Sequence, residues 1–118
     1  MSKLETQVKN LGLKSGFDLV GITSATKFMR DEKASIERVR SGLMDGLPWY
    51  TEDRVKKANS PGLLLENAKS VISLAISYNT KEYKNKNKIA GKVARYAWGE
   101  DYHHVIKERL RCFIKDLK

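Results

Sequence analysis

The chain has 118 residues, one cysteine and a formal net charge of +9, with a pI near 9.7. That length fits one domain, residues 1–118, the 41% hydrophobic content excludes wholesale disorder, and no run nears the roughly 18 apolar residues of a membrane span. A lone thiol, Cys112, excludes an internal disulfide and a Cys-x-x-Cys metal site, while the positive charge favours an anionic partner, RNA or DNA first and an anionic cofactor next.

In chain order, the N-terminus Met1-Ser2-Lys3-Leu4-Glu5-Thr6 has no apolar signal core, so the expected location is the cytoplasm. Leu4, Val8 and Leu11 recur at helical spacing and predict a helix over 3–15, with Gly16 past its C-cap. Residues 17–23, Phe17 to Thr23, read as a short buried strand. Ile36, Val39 and Leu43 give a second helix over 31–44, weakened by Gly42 and stopped by Gly46. Leu47-Pro48-Trp49-Tyr50 is an aromatic loop whose rings are either core anchors or a ligand platform. Thr51 or Glu52 starts a short helix through Ala58, and Ser60-Pro61 fits an N-cap with proline at the first helical position.

Ser70 to Tyr78 is the clearest strand. It is rich in β-branched residues and apolar on nearly both faces, as in a central strand covered on both sides. Residues 79–88 read as a flexible lysine-rich loop, either simply solvated or a phosphate-contacting arm. The stretch 90–98 alternates like a strand and carries cations and aromatics. Gly99 breaks the pattern, and Asp101 caps a last amphipathic helix with apolar Val105, Ile106, Leu110, Phe113, Ile114 and Leu117. A strand end, a glycine turn and a helix N-terminus thus meet within a few residues, the kind of junction that gathers backbone N–H groups at one spot.

His103 and His104 are the only histidines, and adjacent helical positions cannot form an i, i+4 metal pair. Asp101 and His104 are within reach, although capping is the simpler role for Asp101. No Gly-x-Gly-x-x-Gly, Walker or Gly-x-Ser-x-Gly motif is present. The residues alone describe an α/β domain, with α+β as the alternative: a small mixed sheet of about three strands flanked by about four helices. Its aromatic-basic junction suits an anionic ligand or RNA and names no reaction.

Several segments together resemble the N-terminal domain of the epoxyqueuosine reductase family. They are Gly16-Phe17-Asp18-Leu19-Val20-Gly21-Ile22, then Gly46 to Thr51, Arg54 to Ala58, Leu63-Leu64-Leu65, Ala68 to Ala75 and Tyr78. The most specific is Arg95-Tyr96-Ala97-Trp98-Gly99-Glu100-Asp101-Tyr102-His103. The resemblance implies part of an oxidoreductase of queuosine biosynthesis that reduces epoxyqueuosine to queuosine in a tRNA anticodon loop. It also implies cobalamin, held in part by this region, with [4Fe–4S] clusters in a ferredoxin-like C-terminal domain absent here. Lys57 matches the family's arginine near cobalamin, keeping the charge and losing the planar fork, and Ala97 matches a position lining the corrin. Arg95, Tyr96, Trp98, Asp101, Tyr102 and His103 match the motif without assigned contacts.

Two departures stand out. Leu65-Glu66-Asn67-Ala68 replaces the family's Leu-Pro-Gly-Ala before the central strand. The proton-donating aspartate and the cluster cysteines lie beyond the last helix, so catalytic and metal-ligating residues are expected to be missing and the domain incomplete. The expectation is therefore a truncated reductase that does not turn over alone, its iron–sulfur part supplied by a missing domain or chain. The alternative is a non-catalytic basic RNA- or cofactor-binding module gripping RNA through 81–95 and the last helix; a decayed remnant of low solubility is a third reading.

Overall fold

The computed structural model describes residues 2–81 and 91–118. Among the described residues, five α-helices and two strands run α1 (Lys3–Lys14), β1 (Leu19–Ser24), α2 (Met29–Arg40), α3 (Glu52–Ala58), α4 (Pro61–Leu64), β2 (Ser70–Ala75) and α5 (Tyr102–Leu117), with a 3-10 turn at Arg95–Ala97. The strands form a two-stranded sheet. They run antiparallel: Asp18 N–H donates to Ala75 O at one end and Ala25 N–H to Lys69 O at the other. The mixed α/β class follows, with two strands rather than about three among the described residues.

The chain divides into two compact units, Met1–Gly21 with Ser73–Lys118, and Ile22–Ile72. In the first, Ser2 Oγ accepts from Glu5 N–H and caps α1. At its other end Phe17 N–H bonds Gly12 O and Gly16 N–H bonds Leu13 O, with Gly16 at φ 90°. This is a Schellman closure, which places a left-handed residue where glycine has no Cβ to clash. Phe17 is therefore a closure residue, and β1 begins later than expected, at Leu19. Phe17 and Phe113 are both buried and meet edge-on at 6.4 Å, where α5 packs on α1. Gly12 fits α1 closely against the strands, since a Cβ there would lie 2.6 Å from a Val20 methyl.

In the second unit α2 packs on α3, and α3 on α4. The same closure ends α2 early. Gly42 N–H bonds Val39 O and Leu43 N–H bonds Arg38 O, with Gly42 at φ 75°. Gly42, and not Gly46, stops this helix. Thr51 Oγ1 caps α3 by accepting from Arg54 N–H, and Val55 is buried beneath it. Ser60 was expected to cap α4 through its side chain but makes no such bond; Pro61 sits in the first turn as expected.

β2 is shorter than the Ser70–Tyr78 stretch and is not covered on both faces: each of its residues is exposed or half-buried. Its ladder ends because Ser77 N–H turns to Asp18 Oδ2, 2.7 Å away, instead of pairing with a strand. The strand expected over 90–98 does not form in its described part. Ala97 N–H and Trp98 N–H bond Ala94 O and Arg95 O, and the Trp98 indole N–H bonds Val93 O at 2.9 Å, so the segment satisfies itself as a turn. The expected flexible loop at 79–88 lies, over 82–88, outside the described residues.

Candidate functional site

The site is built within the first unit by the segment after β2, the Arg95–Ala97 turn and the start of α5. Asp18 latches the end of β2 twice, through its backbone to Ala75 and its carboxylate to Ser77. Tyr78 follows directly. Arg95 reaches back to Asn79 Oδ1 at 2.5 Å and lies 5.9 Å from the centroid of the Trp98 ring. This cation joins two segments that the sequence separates and holds Trp98 from one side, while the indole bond to Val93 O holds it from within the turn.

Three tyrosines converge there. Tyr78 meets Tyr96 at 6.5 Å and 78°, and Tyr96 meets Tyr102 at 6.1 Å and 80°. In each edge-on pair the edge of one ring meets the face of the other. The rings are 63%, 54% and 43% exposed. With Trp98, Glu100, Val105 and Ile106 they line an open cavity of about 350 Å3.

Asp101 starts α5 as expected. Its Oδ1 accepts from the His103 backbone N–H at 2.9 Å and faces His103 Nδ1 at 2.8 Å. Those two bonds, the backbone one first, hold its carboxyl below the usual aspartate range. An ionised carboxylate only accepts, so Nδ1 carries the proton in this contact. The His103 ring also stacks on Tyr102 at 4.1 Å. Asp101 therefore pairs with His103 and not with His104.

Arg95, Tyr96, Trp98, Asp101, Tyr102 and His103 are thus gathered at one junction. Ala97 is exposed at the end of its turn but does not line the cavity, although Tyr96 and Trp98 on either side of it do. Lys57 lies exposed in the last turn of α3, in the other unit. The sequence reading missed Tyr78 and Asn79 as site residues; the aromatic directly following the strongest strand was the available signal. The Trp49 ring is 53% exposed, meets Tyr50 edge-on and carries the Arg54 guanidinium 4.9 Å from its centroid, so it is no core anchor. Its loop is closed by a fork from Arg40 Nε and Nη2 to Glu52, at 2.7 and 3.1 Å. That fork, led by its hydrogen bonds, lowers the Glu52 pKa.

Cys112 is exposed on α5. A [4Fe–4S] cluster takes four thiolates, so this chain's one cysteine does not fit it. Among the described residues no group of acidic, histidine and cysteine side chains is arranged to hold a metal ion, and no helix is long and apolar enough to cross a membrane.

The family model described as "Epoxyqueuosine reductase QueG, DUF1730" matches residues 58–118. An epoxyqueuosine reductase of Cyclobacterium marinum is 40% identical over 111 residues, which cover 94% of this chain and 36% of that protein. One from Leadbetterella byssophila is 31% identical over 118 residues, covering all of this chain and 38% of its own length. The solved structure of epoxyqueuosine reductase from Streptococcus thermophilus superposes with a TM-score of 0.76 at 25% identity, covering 98% of this chain and 31% of that one. A selenomethionine-labelled epoxyqueuosine reductase does so with a TM-score of 0.84 at 28% identity and the same coverage. The chain spans roughly a third of the length of the curated relatives it matches. The motif carried by the junction and the matches along the whole chain agree, and the chain belongs to the epoxyqueuosine reductase family.

Proposed function

We propose that this chain is the N-terminal, cobalamin-associated part of a cytoplasmic tRNA epoxyqueuosine reductase and that it does not turn over alone. The observation that carries the proposal is the Arg95–His103 motif, folded as one aromatic junction in a chain of that family. Inactivity alone is supported by the single cysteine and by the third of its relatives' length that the chain spans.

The position that would meet cobalamin is Ala97, a small exposed side chain at the end of the turn. Ala97 would face the corrin. Bound cobalamin supplies the reducing chemistry. The chain's own residues bind and orient: Arg95 fixes the turn through Asn79 and Trp98, and Asp101 fixes the start of α5 and the His103 tautomer. A second reading, a non-catalytic RNA-binding module, draws on the first unit, whose residues carry fourteen lysines and arginines against seven acidic residues.

The test pairs binding with turnover. Cobalamin absorbance bands should shift on titration with the purified chain, and a bulky Ala97→Trp variant should abolish the shift. Epoxyqueuosine-containing tRNA should stay unreduced with the chain alone and be reduced by a full-length relative under the same conditions. Unperturbed corrin bands remove the cofactor assignment, and queuosine formed by the chain alone removes the claim that it is inactive.

A further inference from the structure

We propose that the groove between α1 and the end of α5 is the docking face for the polypeptide that, in the longer members of the family, continues past the position of Leu117; this rests on the reading of the chain as part of a larger reductase and not on its cofactor. The groove has a volume of about 430 Å3 and lies wholly in the first unit. Leu4, Val8 and Leu11 of α1 and Leu117 of α5 form its apolar lining. The three α1 positions are i, i+4 and i+7, the stripe that a helix turns towards a partner. Yet the stripe is not what α1 buries. Its buried residue is Gly12, which faces Val20 and Leu74, while Leu4 is 69% exposed. Fraying does not account for that exposure, because Ser2 caps this first turn. α5 behaves alike: its apolar period is buried at Phe113 and runs on to Ile114 and Leu117, which are 51% and 39% exposed.

The occupant follows from length and place. The chain covers 38% of the Leadbetterella byssophila reductase and 31% of the selenomethionine-labelled structure, so most of each lies outside the matched region. A TM-score of 0.84 against the latter carries the same fold, and so the same face, into a longer protein. Leu117 itself lines the groove, so a polypeptide continuing from it starts at the groove's wall. A segment tethered there meets the groove at an effective concentration of about millimolar, and a few apolar contacts then suffice to seat it. The rest of the lining is two amides, Gln7 and Asn10, and a single charged residue, Lys14. One cation does not make the converging polar set that a small-molecule or phosphate site needs. Amides beside an apolar stripe suit a packed chain segment, whose backbone they can both donate to and accept from.

Adding charge to the groove tests the assignment, in the chain alone and in a Leadbetterella byssophila reductase whose matched region is replaced by this chain. In the chain alone, Leu4→Lys should leave the melting temperature unchanged, because that side chain is already exposed. In the swapped enzyme, Leu4→Lys and Leu117→Lys should each lower it by about 5 °C, as when a charge is forced into a packed apolar contact. Thr6→Lys, exposed on α1 and outside the groove lining, should be silent in both. The chain alone should sediment as a monomer at every concentration.

A swapped enzyme that reduces epoxyqueuosine-containing tRNA but melts unchanged with lysine at both groove positions overturns the docking face and leaves the reading of the chain standing. A swapped enzyme that is folded yet inactive, where the parent reductase turns over, removes that reading and the docking face with it. The same lysines at the matched positions of the parent reductase test the face without the swap, and an unmoved melting temperature there overturns it as well. A dimer of the chain that Leu4→Lys dissolves gives the groove to a second copy and overturns the proposal.

Discussion

Asp101 shows how much one side chain decides. It closes the turn before α5, satisfies an N–H that no intrahelical carbonyl meets, and selects the His103 tautomer. Its carboxyl is held below the ordinary range by the His103 backbone bond and then by the His103 ring. A group with a depressed folded pKa contributes stability above its unfolded value, and that contribution is lost as pH falls through the folded value. Amide protection at His103 should therefore persist through the pH at which an ordinary aspartate protonates and fall only below it. Asp101→Ala should lose the protection at every pH, and Asp101→Asn should keep part of it without the acid transition. Protection that tracks an ordinary aspartate titration would show that the capping bonds do not depress this carboxyl. The cap was legible in the sequence because an aspartate stood directly before an apolar helical period. The pairing with His103 was not, since helical spacing alone favoured His104 as the neighbour.

Among the elements, the helices were the most legible, because caps and apolar periods are local signals. α1, α3 and α5 start where Ser2, Thr51 and Asp101 cap them. α2 ended earlier than its apolar period suggested, because the backbone bonds closed by Gly42 outweigh the continuing stripe at Leu43. Burial joins the first unit's elements at the Phe17–Phe113 contact. Phe113→Ala should lower the stability of this unit by about 3 kcal/mol, the low end for a large aromatic lost from a packed site. Urea unfolding followed by far-ultraviolet dichroism measures it, with the half-exposed Ile114→Ala as the control expected to cost much less. Equal losses at the two positions would mean that the aromatic contact does not dock α5.

At the scale of the whole chain, charge is the feature with a measurable consequence. The cationic surplus is concentrated in the residues of the first unit, while the second carries nine lysines and arginines against seven acidic residues. Single-stranded RNA binding should fall roughly twentyfold between about 50 and 200 mM salt, if about three phosphates are neutralised. Replacing Lys107, Arg111 and Lys115 on α5 by glutamine should flatten that dependence. The same three changes at Lys27, Arg30 and Lys33 should leave it nearly as it was. A flat salt response of the wild-type chain would remove RNA as a partner bound through its phosphates.

The sequence by itself determined the mixed α/β class, the helix starts, the first strand after a glycine closure and the motif from Arg95 to His103, because each is written in neighbouring residues. Only the tertiary structure decided that 91–98 folds as a turn, since alternating cations and aromatics fit a strand equally well until the Trp98 indole finds Val93 O. It alone brought Tyr78 and Asn79 to Arg95 and Tyr96, which the chain separates by sixteen or more residues and which a single guanidinium and an edge-on ring pair join. A cavity lined by side chains from three segments has no signature in any one of them.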